Sequence, residues 1–178
     1  MTGQIQCYTG EGKGKTTAAL GLVVRALGAG KKVAWVAFDK GGDHYSERDV
    51  LARRFPEVEL FVTGLDRMNM TTGTFRFGVT NEDKAEGERG LEIVRDLFQD
   101  ARHDLIVLDE INISTHLGII KEADVLVILR QKPPEIEVVL TGRSAPKSFI
   151  ELSDLVTEMR MNKHYIQKGV KARPGFDY

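Results

Sequence analysis

Three glycines, Gly10, Gly12 and Gly14, fall between an apolar strand-like run, Ile5–Thr9, and an apolar helical stretch that opens at Lys15-Thr16-Thr17. Few folds tolerate that junction. Glycines lack the Cβ that would stop successive backbone N–H groups from turning toward one point. The helix that follows aims its own unpaired N–H groups, and the positive end of its dipole, at the same place. Strand, glycine loop and helix in that order read as the opening unit of a parallel sheet, and the convergent amides suit an anion. Lys15 adds a cation, Lys13 a second, and Thr16 a hydroxyl. The usual loop pattern is a glycine, four residues, then Gly-Lys and Ser or Thr. Here Thr9 holds the first glycine position and Gly10 comes one later, so the pattern is shifted while its physics is kept. Thr9, Gly10, Glu11, Gly12, Lys13, Gly14, Lys15, Thr16 and Thr17 are therefore read as a cradle for the triphosphate of ATP, with Thr16 on the magnesium side.

Beyond the loop, strand-like runs alternate with helical ones. Residues 16–29 are apolar nearly all round (Ala18, Ala19, Leu20, Leu22, Val23, Val24, Ala26, Leu27), which predicts a buried helix. Arg25 is its only charge, and Gly28 and Gly30 mark its end. Residues 33–38 form a continuous apolar run, as expected of a strand covered on both faces. Val58–Val62 is a third strand, and the polar stretch 63–81 reads as a functional loop. A helix over 82–102 places Leu91, Val94, Leu97, Phe98 and Ala101 on one face, and 105–110 is a buried strand ending in two carboxylates. Residues 125–129 stay open between helix and strand, because β-branched side chains crowd a short run that Pro133 and Pro134 terminate. Glu137–Thr141 and 155–159 are further strands, and 163–178 is a surface tail. The expectation is an α/β fold, a mainly parallel sheet covered by helices on both faces in P-loop NTPase architecture, with one domain over 1–178.

Ligands on such sheets gather at the carboxyl ends of the strands, and both the glycine loop and Asp109-Glu110 lie there. Four apolar residues before Asp109-Glu110 resemble a Walker B element, in which one carboxylate holds magnesium directly or through water and the other orients it. A hydrolytic enzyme would use the second acid to activate water, so the pair does not select a reaction. Thr141-Gly142-Arg143 ends a strand; Arg143 is either within reach of a phosphate or part of a plain turn. Phe75 and Phe77 flank Arg76, and a local staple is their simplest reading. His44, His103, His116 and His164 have no metal-ligand spacing.

Charge excludes one class of partner. Lys plus Arg (25) against Asp plus Glu (26) leaves a net −1, so no single-sign field exists to hold nucleic acid. The lone Cys7 allows no internal disulfide and reads as an inert core thiol. No apolar run approaches the ~20 residues that span a bilayer, and residues 1–4 lack the basic and apolar regions of a leader peptide. A cytoplasmic protein that binds neither nucleic acid nor membrane is expected.

Taken together, Tyr8 to Gly21, Arg25, Gly28, Leu108-Asp109-Glu110-Ile111 and Val139-Leu140-Thr141-Gly142-Arg143 resemble the P-loop type of ATP:corrinoid adenosyltransferase. So do Leu155-Val156-Thr157-Glu158-Met159, Lys163-His164 and the ending Gly169 to Tyr178. The order is kept over nearly the whole chain, and Thr at the usual glycine position is itself typical of that family. The resemblance implies transfer of the 5′-deoxyadenosyl group of ATP to the cobalt of a reduced corrinoid, with triphosphate released. It implies ATP bound in reverse relative to ordinary NTPases, with C5′ facing the corrinoid. Lys15, Thr16 and Glu110 would be catalytic; Thr16, Asp109 and Glu110 would hold magnesium; Arg25 would touch the nucleotide. Phe75 and Phe77 match by order an aromatic pair that strips axial ligands from Co(II), although the second position, often Trp, is Phe77, and the stretch 65–73 precedes it. The segment Phe38-Asp39-Lys40-Gly41-Gly42 lacks the Gln often found before the Phe. A homodimer and an electron-donating reductase or flavoprotein are implied as well. Two other readings stay open at the level of sequence: an ordinary ATPase or kinase, and a corrinoid-binding regulatory module without turnover.

Overall fold

The computed structural model describes residues 2–69 and 74–177, without the side chains of Met68, Asn69, Thr74 and Phe75. Six strands form one sheet: β1 (Ile5–Thr9), β2 (Val33–Ala37), β3 (Val58–Val62), then β6 (Leu105–Asp109), β7 (Glu137–Thr141) and β8 (Leu155–Glu158). Their order is β3-β2-β6-β7-β1-β8, and every neighbouring pair is parallel. Two short strands between β3 and β6, β4 (Met68–Asn69) and β5 (Thr74–Phe75), make a separate antiparallel ribbon inside the polar stretch 63–81.

The side chains of the central strands alternate between two cores, as the two-residue period of a strand requires. Val33, Trp35 and Ala37 of β2, with Leu105 and Val107 of β6, face Ala19 and Val23 of α1 (Lys15–Gly28) and Leu51 of α2 (Ser46–Arg54). Ala34, Val36, Ile106 and Leu108 point the other way. They meet Leu91, Val94 and Leu97 of α3 (Asn81–Asp100), Val125 and Ile128 of α5 (Glu122–Arg130), and Phe149 of α6 (Lys147–Leu152). Cys7 is fully buried in the second core, where burial pushes its thiol up to about 11.

Several expectations change in detail. The run 125–129 is helical: Val125, Ile128 and Leu129 are buried and Val127 is half-exposed, a spacing that only a helix places on one face. The helix expected to be buried all round is α1, and it is buried on one face alone, at Lys15, Ala19 and Val23. It lies against one side of the sheet, so the outer apolar residues Leu20 and Val24 line a cavity instead. Glu110 does not extend its strand; it turns into the left-handed region (φ 61) and starts the short α4 (Ile111–His116). Within the expected surface tail, residues Tyr165–Lys168 form a 3₁₀ turn. The part of the 65–73 stretch at 70–73, together with Met1 and Tyr178, lies outside the described residues. No helix among the described residues is long and apolar enough to cross a membrane.

Candidate active site

The loop between β1 and α1 is built against the end of β8. The Gly12 N–H donates to the Met159 carbonyl at 2.6 Å, and Met159 N–H donates to Thr9. A Cβ at Gly10 would stand 2.5 Å from the Met159 carbonyl oxygen, and one at Gly12 2.6 Å from it, so backbone meets backbone where only glycine fits. Gly14 (φ 119) then turns the chain into α1. Lys15 folds back over this loop: its ammonium donates to the Gly10 and Gly12 carbonyls, each at 2.7 Å. Burial pulls that ammonium below the ordinary lysine value, and Glu110 opposes the pull.

One turn into the fold's other ingredient, the carboxyl end of β6, Asp109 is 1% exposed and surrounded by donors. Thr16 Oγ1 donates to its Oδ1 at 3.0 Å and Thr141 Oγ1 to the same oxygen at 2.6 Å. Thr141 in turn accepts the Glu110 N–H at 3.0 Å, which fixes the backbone where Glu110 adopts its positive φ. The other oxygen, Oδ2, accepts Lys40 Nζ at 2.6 Å. That ammonium also stands 3.8 Å from Glu110 and 3.7 Å from Glu47, and donates weakly to Thr16 Oγ1 at 3.4 Å. Burial alone would lower the Lys40 value, but Asp109, Glu110 and Glu47 outweigh it and hold the group charged well above the usual range. Burial pushes the Glu110 carboxyl up, against the attraction of Lys40. A hydroxyl and two carboxylates are hard oxygen donors of the kind magnesium takes, and a cation already sits among them, so the residues present fit that ion.

These groups border a cavity of about 1250 Å³. One wall is the loop and α1 (Lys13, Thr16, Thr17, Leu20, Val24); a second is the segment after β2 with α2 (Lys40, Tyr45, Glu47, Val50, Phe55). The tail closes a third side with Lys171, Phe176 and Asp177. Lys13 joins the tail to the loop: it pairs with Asp177 at 3.1 Å and donates to the Phe176 carbonyl. Asp177 is held from below by the Tyr165 hydroxyl and by Arg173, whose backbone and side chain donate at 3.0 and 3.1 Å.

Of the residues singled out from sequence, Lys13, Thr16, Thr17 and Glu110 line this cavity, and Lys15 and Asp109 bond directly beside it. Arg143 comes to the loop at its outer side, 3.7 Å from Glu11. Arg25 is exposed ten residues along α1 from Lys15, roughly 15 Å at 1.5 Å per residue, and is not among the lining residues. Phe77 is 86% exposed and also outside the lining; the Phe75 side chain is beyond the described residues. Between that aromatic segment and the cavity runs a chain of ion pairs. Asp39 accepts from Arg67 at 2.7 Å, Arg67 stands 3.6 Å from Asp83, and Arg76 forks onto both oxygens of Asp83 at 2.6 and 2.9 Å.

Lys40, Thr141 as a hydroxyl, Asp177 and the Arg67–Asp83 pair were not singled out from sequence. Lys40 did leave a signal. It sits three residues past the fully buried strand β2 and directly before Gly41-Gly42, the place where such sheets keep ligand-facing groups.

A parallel sheet in this order, a glycine loop feeding a helix, and a buried Asp at the end of β6, one strand removed from β1, are consistent with the P-loop class of nucleotide-binding proteins. Within that class the chain belongs to one family: the model for ATP:corrinoid adenosyltransferase BtuR/CobO/CobP matches residues 1–178. Corrinoid adenosyltransferases of Sinorhizobium sp and Pseudomonas aeruginosa are 36% and 37% identical to it, each over 99% of this chain and over 80% and 84% of their own lengths. The corrinoid adenosyltransferase of Escherichia coli K12 is 34% identical over 99% of this chain and 86% of its own.

Proposed function

We propose that this protein transfers the 5′-deoxyadenosyl group of ATP to the Co(I) centre of a reduced corrinoid and releases triphosphate. The observation that carries this reading is the family match along residues 1–178, glycine loop and strand-end carboxylates included. The Co(I) electron pair forms the bond to C5′, the C5′–O bond breaks, and the whole triphosphate leaves with the bonding pair of that C–O bond. No protein nucleophile or general base is needed, so catalysis is positioning and electrostatics.

The residues divide that work. Thr9 to Thr17 grip the triphosphate, with the loop amides and Lys15 taking up the charge that grows on it as the C5′–O bond lengthens. Lys15 stands inside the loop, already bonded to two of its carbonyls, and exchanges them for phosphate oxygens. Thr16, Asp109 and Glu110 would hold magnesium, which supplies further charge neutralisation to the leaving group. Arg143, beside Glu11, is proposed to contribute from the rim, and Arg25 and the Phe75–Phe77 segment are proposed as nucleotide and corrinoid contacts on the family resemblance alone. A cytoplasmic homodimer of single-domain chains, supplied with electrons by a reductase or flavoprotein, completes the proposal.

The test is a product assay. Protein, ATP, magnesium and chemically reduced corrinoid should yield a light-sensitive alkyl-cobalt species together with triphosphate. Orthophosphate or ADP in place of triphosphate would instead identify an ATPase or kinase, and corrinoid binding without turnover would identify a regulatory module.

A further inference from the structure

The Lys40 ammonium stands where the oxygens of Thr16, Asp109 and Glu110 converge, 3.4 Å, 2.6 Å and 3.8 Å from them. At 2.6 Å from Asp109 Oδ2 the ammonium takes the point on which these oxygens converge. We infer that Lys40 is a tethered placeholder: it occupies the metal position when nucleotide is absent, excludes a free divalent cation, and yields only to a cation that arrives with a polyphosphate. The inference rests on assigning Thr16, Asp109 and Glu110 to the metal.

Three features allow an exchange of seats without collapse of the site. The Lys40 backbone is anchored, its N–H donating to the Thr63 carbonyl at 3.2 Å, and its neighbour Asp39 is clamped by Arg67 at 2.7 Å. Only the flexible side chain has to move. A second seat exists next to the first: Glu47 is already 3.7 Å from the ammonium, and the Tyr45 ring lies 5.3 Å from it in cation–π position. Glu47 and Tyr45 also line the cavity, so the displaced ammonium stays beside the bound triphosphate, where its charge is useful.

The energetic logic follows from charge alone. A lone divalent cation must evict an ammonium that is paired with the buried Asp109 and stands beside the partly buried Glu110, and gains no new anion by doing so. Magnesium delivered with ATP brings four negative charges, toward which both cations are drawn. Metal and nucleotide therefore bind with positive coupling, and by linkage the coupling is mutual. Removing the Lys40 charge should dissolve that coupling and leave an acidic site that takes the metal by itself.

The experiment titrates Mn²⁺, read by the electron paramagnetic resonance of the free ion, into wild-type protein and into K40A, K40Q and K40R, without nucleotide or corrinoid. K40A and K40Q are expected to bind Mn²⁺ roughly tenfold or more tightly than wild type, within the range of ordinary coupling energies, while K40R, which keeps a cation, stays weak. Thermal unfolding provides a second reading if the neutral variants are poorly folded: Mg²⁺ alone should raise the midpoint of K40A and K40Q but not of wild type. Equal Mn²⁺ affinity across all four proteins, with Mn·ATP still binding more tightly than ATP alone, overturns the placeholder and leaves the metal site standing. No advantage of Mn·ATP over ATP in any of them removes the metal assignment itself. Neither outcome touches the transfer reaction, which the corrinoid product assay decides separately.

Discussion

At the scale of single residues, the loop is held by contacts that leave little tolerance. Gly12→Ala drives a methyl to 2.6 Å from the Met159 carbonyl oxygen, which the backbone on both sides must absorb. It should destabilise the protein by about 1–3 kcal/mol, the usual cost of overpacking, measured as a shift in urea midpoint at unchanged slope. Lys15→Ala removes the charge inside the loop without such strain; nucleotide affinity should fall roughly 10- to 100-fold, the worth of a charge-assisted bond, in a calorimetric titration. Lys15, Thr16, Asp109 and Glu110 were legible because each belongs to a short local pattern. Lys40 was not, since its meaning lies in a bond to Asp109, 69 positions away in the chain. Only the fold brings that pair together.

At the scale of elements, α3 shows how a helix start can also tie a loop. Thr80 accepts the Asp83 N–H at 3.3 Å and donates its own N–H to Asp83 Oδ2 at 2.7 Å, a reciprocal cap. The same carboxylate takes the fork of Arg76, which is the chief reason its value lies well below the ordinary 3.8, burial opposing. Because the folded value is depressed, the stabilisation is complete at pH values above the ordinary aspartate range and fades as pH falls through and below it. Asp83→Asn should therefore cost about 3 kcal/mol near pH 7, as expected for breaking a buried pair, and somewhat less near pH 3, where the folded carboxylate is still ionised while the unfolded one has begun to take its proton; chemical denaturation of both proteins at the two pH values checks the sign. The long helices and central strands were readable from period and apolar content. By contrast, α2 has a sequence, SERDVLARR, with Leu51 as its only buried residue, too little apolar pattern to announce a helix. The β4–β5 ribbon is two residues per strand and equally silent in sequence.

At the scale of the molecule, the tail is joined to the phosphate loop through Lys13, which holds both the Asp177 carboxylate and the Phe176 carbonyl. Asp177→Asn weakens its ties to Lys13, Tyr165 and Arg173 together. Limited trypsin digestion should then cut after Lys168 and Lys171 several-fold faster, since local opening governs such cleavage, while the sheet keeps its far-ultraviolet signal. Sedimentation at micromolar concentration should show two chains per particle; a monomer there would contradict the proposed homodimer.

The placing of β1 has a consequence in time. The first strand made is inserted between β7 and β8, the last two, and its loop rests on Met159. A chain growing from the ribosome therefore cannot assemble its nucleotide cradle until β7 and β8 have emerged, because the supporting strands do not yet exist. Pairings so distant in sequence form slowly. Nascent chains halted before residue 155 should show no ATP-dependent protection, however much of the β2–β6 half has condensed. ATP is thus a ligand of the closed sheet, and its arrival marks the seating of β1 between β7 and β8.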